Sequence, residues 1–223
     1  MSQTRRVSRG LFITFEGSEG CGKSTQVKRL AARLEREGRE FLVTREPGGT
    51  PIGEKIRDLL QFAPEGAAMR AETEVLLFEA SRSQLVREVI EPALARGVIV
   101  ISDRFFDSTT VYQGAARKLD PQVIAQLNRF AVGDCLPDIT FVLDCDIETA
   151  RARLLRRVRP VGAPDRMEQE PNEFYERVSA AYRELALREK ERVHLLDAAR
   201  AADEVEAEIW QLTKSKIQDV LRT

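Results

Sequence analysis

Gly17-Ser18-Glu19-Gly20-Cys21-Gly22-Lys23-Ser24 matches the pattern G-x-x-x-x-G-K-[ST] at every position. Glycines at this spacing let the chain wrap so that backbone N–H groups turn inward, and a helix starting at the lysine adds the positive end of its dipole. Such a cradle binds phosphate oxygens. Lys23 reaches the β- and γ-phosphates of a bound nucleotide, Ser24 ligates Mg²⁺, and Thr25 continues the nucleotide-binding run. The plainer alternative, a glycine turn with no ligand, is disfavoured by the flanking sequence, where an apolar strand precedes the run and an amphipathic helix follows it.

A phosphate loop alone does not choose between a small-molecule kinase, a GTPase and a motor ATPase. The chain contains no Asn-Lys-x-Asp guanine reader, and at 223 residues it is short for a large ATPase. A compact kinase fits best. Its second half would lie at Asp103, directly after Val98-Ile99-Val100-Ile101-Ser102. A carboxylate at a strand end faces the phosphate loop across the sheet edge, where it holds Mg²⁺ or its waters or engages an acceptor phosphate. The simpler role is a helix N-cap. Arg104 beside it is suited to fork a pair of phosphate oxygens.

These side chains need a frame that converges them. Leu11–Phe15, Phe41–Thr44, Val98–Ile101, Ile139–Leu143 and Val193–Leu196 read as short, nearly continuous apolar strands. Between them, Val27, Leu30, Ala31 and Leu34 mark one face of a helix that Gly38 ends. A long helical region spans about 71–95, with Pro92 placed to break or kink it. Further helices are expected near 147–158, 172–190 and 203–221. Apolar strands alternating with helices imply an α/β fold with a parallel sheet covered on both faces.

Composition narrows the partners. With 35 Lys and Arg against 36 Asp and Glu, the net charge of −1 argues against a nucleic-acid or anionic-lipid partner. One histidine, His194, makes a Ser-His-Asp triad improbable and excludes any zinc site needing two imidazoles. Cys21, Cys135 and Cys145 suggest no disulfide framework and fit a reducing compartment. Residues 1–10 are basic but lack the apolar core of a signal peptide, and no apolar run approaches the ~20 residues needed to span a bilayer. A basic, disordered tail ahead of one domain over 11–223, in the cytoplasm, is the expectation.

Several motifs taken together are more specific than the phosphate loop. Phe15–Ser24, Thr44-Arg45-Glu46-Pro47-Gly48-Gly49-Thr50, Ser102-Asp103-Arg104-Phe105, Ser108-Thr109 with Tyr112-Gln113-Gly114, and Asp165-Arg166 with Glu168 resemble bacterial thymidylate kinases in order and spacing from about residue 11 to 215. The resemblance implies a P-loop fold with a central five-stranded parallel sheet, ATP and dTMP as substrates, Mg²⁺, and a homodimer. It implies that Phe78 stacks on thymine, that Arg82 one turn later reads its O4, and that Thr109 and Gln113 add polar contacts to the base. Tyr112 would pack on the deoxyribose. Arg57 and Arg104 would hold the dTMP phosphate, Glu19 the 3′-hydroxyl side, and Glu46 would lie near that phosphate and the metal. Where the family usually carries Tyr or His, this chain has Phe105, which leaves a polar role there in doubt.

Phosphoryl transfer neutralises charge building on the transferred group, so a cation beyond Lys23 is expected. The phosphate loop carries no arginine. Arg151, Arg153, Arg156, Arg157, Arg159 and Arg166 are instead concentrated in one segment, opposed only by Asp165. This resembles the class in which a lid over about 151–168 donates the catalytic arginine, with Arg153 stacking on adenine and Arg157 as the finger. Pro160, Gly162 and Pro164 suit a closing lid. The alternatives are a solvated basic helix face for the cluster, a kinase for another nucleotide or deoxynucleoside, and an ATP-dependent switch without transfer. His194 and Trp210 read as structural, and Cys21 as a small spacer.

Overall fold

The computed structural model describes residues 9–156, 166 and 170–222. Five strands, β1 (Phe12–Glu16), β2 (Phe41–Arg45), β3 (Ile99–Asp103), β4 (Ile139–Asp144) and β5 (Val193–Asp197), form one sheet of order β2-β3-β1-β4-β5. All pairings are parallel. Each strand expected from sequence is present, extended at its C-terminal end to take in a polar residue: Glu16, Arg45, Asp103, Asp144 or Asp197. Apolar patterning ends the strand too early because the sheet edge is where functional polar groups belong.

Alternation along β1 divides the interior. Leu11, Ile13 and Phe15 belong to a core shared with β4, α1 (Lys23–Arg36) and α9 (Ala202–Arg222). Phe12 faces the opposite core with Val100, Phe105 and Leu85. Its side of the strand continues through Thr14 to Glu16, both fully buried, so a carboxylate ends up beneath the site.

On α1, Val27, Leu30 and Leu34 are buried as their spacing predicts, and Ala31 packs against the same core. Gly38 follows at φ 64°, its N–H bonded to Glu35 O. The long helical region is α3 (Ala71–Leu85), a π-helical turn (Val86–Ile90) and α4 (Glu91–Ala95). Pro92 therefore does not end the run; it follows a π-helical turn in which Glu91 N–H bonds to Val86 O. The helices α7 (Ile147–Arg156) and α8 (Asn172–Arg188) occupy the expected places.

Three elements had no clear apolar signal: α2 (Pro51–Gln61), α5 (Phe106–Thr109) with its π-helical continuation Thr110–Ala116, and α6 (Pro121–Val132). Polar starts for two of them were visible. Thr50 caps α2 by accepting from Gly53 N–H and Asp120 caps α6 by accepting from Gln122 N–H, each followed by proline. Among the described residues no helix is long and apolar enough to cross a membrane.

Candidate active site

The loop between β1 and α1 is shaped by its glycines. Gly17 sits at φ 130°, and a Cβ there would lie 2.3 Å from Leu143 O. Gly22, at φ 101°, is the N-cap of α1 and offers no side-chain cap, leaving the first N–H groups of the helix for an anion. Lys23 Nζ lies across the loop, donating to Gly17 O at 3.0 Å and Ser18 O at 2.8 Å. Ser24 Oγ donates to Asp103 Oδ2 at 2.9 Å, across the sheet from the end of β3. Register sets this up, since β1 and β2 both align on β3 there, with Phe15 and Arg45 opposite Asp103.

Beyond Asp103 the chain turns sharply. Arg104 has φ 73°, a rare conformation for a side chain with a Cβ. Buried Glu16 stabilises the turn: its Oε1 accepts from Phe105 N–H at 2.8 Å, and its Oε2 from Ser108 Oγ at 2.6 Å and Tyr182 OH at 2.8 Å. Burial, with Asp107 nearby, raises the Glu16 pKa above its ordinary value. Arg104 then projects toward Glu19, donating to Oε1 at 2.6 Å, to Ser108 Oγ at 3.0 Å and to Tyr112 OH at 3.2 Å. Tyr112 OH donates to Glu19 Oε2 at 2.9 Å. Although burial alone raises a carboxyl pKa, Arg104, Lys23 and Tyr112 together lower that of Glu19.

A cavity of about 330 Å³ opens over these groups. Its lining brings together Glu19, Lys23, Ser24, Glu46, Arg57, Phe78, Asp103, Arg104, Thr109, Tyr112 and Gln113, with Arg45, Gln61 and Ser108 added. Arg57 Nη1 donates to Pro47 O at 2.9 Å. Phosphate-binding and base-facing candidates thus share one pocket.

Arg82 and Glu46 depart from expectation. Arg82 is 1% exposed and does not line the pocket. Its guanidinium donates to Glu46 Oε2, Glu79 Oε1, Thr109 Oγ1 at 2.9 Å and Phe105 O at 3.3 Å. Arg82 therefore braces the pocket from behind; with its donors taken, the geometry does not present it to a base edge. Glu46, expected near the metal, spends one carboxylate oxygen on Arg82, and its other oxygen is buried without a partner. Burial pushes the Glu46 pKa up to about 8 against the opposing pull of Arg82, with the nearby Glu79 carboxylate adding a smaller push in the same direction. The metal candidates that the structure joins are Ser24 and Asp103. Phe105 is fully buried, edge-on to Phe12 with centroids 4.9 Å apart, so this position is core in this chain.

On the other side of the phosphate loop, a cavity of about 160 Å³ is lined by Cys21, Gly22, Thr25, Arg153 and the β5–α9 connection. Arg153 Nη2 donates to Ala198 O at 2.8 Å. Arg157, Arg159 and most of the 151–168 lid lie outside the described residues. Arg166 is described, and it is not part of a free basic patch: it pairs with Glu74 and donates to Leu60 O at 3.1 Å. Among the described residues no group of three or more His, Cys, Asp or Glu forms a metal cage. An adjacent hydroxyl and carboxylate are hard oxygen donors, which suits Mg²⁺ held jointly with phosphates and water. His194 packs near Phe141, with centroids 6.3 Å apart, and Trp210 packs under Arg33.

Sequence reasoning missed Glu16, Glu74 and Arg45 as supports of the site. A carboxylate ending the apolar run Phe12–Phe15, and glutamates on the buried face of α3, were the available signals.

The parallel sheet and the lysine-bearing phosphate loop define a P-loop protein with a second pocket open beside that loop. The thymidylate kinase family profile matches residues 15–209. The chain is 44% identical over 213 residues to a thymidylate kinase from a Bradyrhizobium species, covering 96% of this chain and 93% of that protein. It is 47% identical over 206 residues to the one from Halothermothrix orenii, covering 92% and 97%. The crystal structure of thymidylate kinase from Ehrlichia chaffeensis superposes with a TM-score of 0.72 at 33% identity, over 92% of this chain and 99% of that one. This chain belongs to the thymidylate kinase family.

Proposed function

We infer that the protein transfers the γ-phosphoryl group of ATP to dTMP, giving dTDP and ADP. The observation that carries this reading is the shared pocket, lined by Lys23, Ser24 and Asp103 together with Phe78, Thr109 and Gln113. A phosphate oxygen of dTMP attacks the γ-phosphorus, and the bond from phosphorus to the β–γ bridging oxygen breaks. That nucleophile is already anionic, so no general base is needed; alignment and cationic clamps supply the rate.

In this mechanism Lys23 leaves the loop carbonyls to hold the β- and γ-phosphates, while the N–H groups of Gly17–Thr25 cradle the chain of phosphates. Arg104 and Arg57 hold the acceptor phosphate. Glu19 orients Arg104 and faces the sugar with Tyr112. Phe78 stacks on the base, and Thr109 and Gln113 meet its edge. Arg153 packs against adenine, and Arg157 neutralises charge developing on the transferred group. Ser24 and Asp103 would hold Mg²⁺, which when bound neutralises charge on the β- and γ-phosphates. A cytoplasmic homodimer belongs to the same reading.

The test is product analysis with dTMP and Mg·ATP: dTDP and ADP should form in equal amounts. ADP without dTDP would leave only an ATPase.

A further inference from the structure

Glu74, Phe78 and Arg82 stand at i, i+4 and i+8 on α3, so three consecutive turns present one face to the acceptor pocket or to the layer behind it. Glu74 is 1% exposed, yet both of its oxygens are filled. Its Oε1 accepts from Gln113 Nε2 at 2.8 Å and Arg117 Nε at 3.2 Å. Its Oε2 accepts from Arg117 Nη2 at 3.2 Å and from Arg166. Gln113, 2% exposed, lines the pocket.

A carboxylate with two arginines on it is ionised and only accepts, so the amide group of Gln113 that faces it must be the NH₂. These donors, led by Gln113 and Arg117, hold the Glu74 pKa below its ordinary value against the effect of burial. With one N–H of its NH₂ held by Glu74, the amide's only acceptor, the carbonyl oxygen, is kept off that carboxylate and left for a ligand, beside the second N–H. A free glutamine could offer either end. This one cannot turn over without setting its carbonyl against a carboxylate.

We propose that Glu74 is the positioning residue that fixes the Gln113 amide with its acceptor toward the nucleotide, selecting a pyrimidine that carries an imide N–H. The proposal rests on the reading that this pocket takes dTMP. Thymine and uracil carry that N–H at N3; cytosine has a bare lone pair there, and two acceptors would face each other. Rejection of an analogue that leaves a buried polar group unpaired is large compared with the loss of a methyl contact.

The experiment compares kcat/KM for dTMP and dCMP in the wild type, Glu74→Gln, Glu74→Asp, Gln113→Leu and the Glu74→Gln/Gln113→Leu double variant. In Glu74→Gln the amide at 113 is free to rotate, so the dTMP:dCMP ratio should fall about tenfold or more, through a higher KM for dTMP with kcat within about threefold. Glu74→Asp, which keeps the charge but withdraws it, should lower the ratio in the same sense and serves if Glu74→Gln does not fold. In the Gln113→Leu background, Glu74→Gln should change the ratio no further. An unchanged ratio in folded Glu74 variants, even with a lowered melting temperature, overturns the proposal, as does a full additional loss in the double variant. Wild-type enzyme without dTMP turnover overturns the underlying reading and the proposal with it; dTMP turnover with an unchanged ratio overturns the proposal alone.

Discussion

The Ser24 hydroxyl donates a 2.9 Å hydrogen bond to Asp103 Oδ2, joining the first turn of α1 to the end of β3. Two oxygen donors from neighbouring strand–loop units meet at the mouth of the phosphate cradle, where an ATP-bound Mg²⁺ would sit. Asp103→Asn keeps the volume and a hydrogen bond to Ser24 but removes the charge. The expected result is a kcat lowered about 10²-fold and a higher Mg²⁺ requirement. Steady-state rates across a Mg²⁺ titration check both.

Arg104 combines a left-handed backbone with bonds to Glu19, Ser108 and Tyr112, and its guanidinium lies 5.0 Å over the Tyr112 ring. Lysine retains the charge but not the planar fork. Arg104→Lys should raise the KM for dTMP about tenfold or more and leave the KM for ATP within about threefold. A matched rise in both would place Arg104 elsewhere in the reaction.

Much of this frame was legible from the chain itself. The strand runs, the phosphate loop and the Asp103-Arg104 corner were visible because buried parallel strands are apolar throughout and glycine loops have a fixed spacing. Less visible were the polar residues that brace the site. The resemblance to the family implies a base-reading Arg82, and its spacing from Phe78 is compatible with that; its depth behind the lining depends on Glu79, one turn earlier on α3, and on Glu46, which comes from the distant β2–α2 connection. By sequence Arg166 reads as one more lid arginine, but in the fold it pairs with Glu74, distant in sequence. Local patterning shows which face of a helix a residue takes. It does not show which partner from another element has already claimed that residue.

The Glu46–Arg82 pair gives a pH signature. Glu46 has its ordinary value of 4.5 in the unfolded chain and about 8 in the native one. Between these values the native protein keeps a proton that the unfolded chain has released, so stability falls as pH rises and levels off above the native pKa. In Glu46→Gln this contribution is absent. Denaturant unfolding at pH 5.5, 7 and 8.5 should show the wild type losing stability relative to the variant across that window. Parallel curves would mean that Arg82 keeps Glu46 ionised throughout.

Arg157 carries the expectation of a lid arginine acting on the transferred phosphoryl group. Arg157→Ala should lower kcat by about 10²-fold or more while the Kd for dTMP shifts by less than about threefold. Single-turnover rates alongside equilibrium dTMP binding separate the two. If kcat is untouched, another arginine of the 151–168 segment supplies the charge.

The central claim, phosphoryl transfer to dTMP, is tested most directly by acceptor-dependent ADP formation from Mg·ATP across dTMP, dUMP, dCMP, CMP, AMP, GMP and free thymidine. The account predicts the highest kcat/KM with dTMP and no turnover of thymidine, which lacks the phosphate that Arg57 and Arg104 are proposed to hold. Preference for CMP, AMP or thymidine, or ADP formation indifferent to any acceptor, would contradict it.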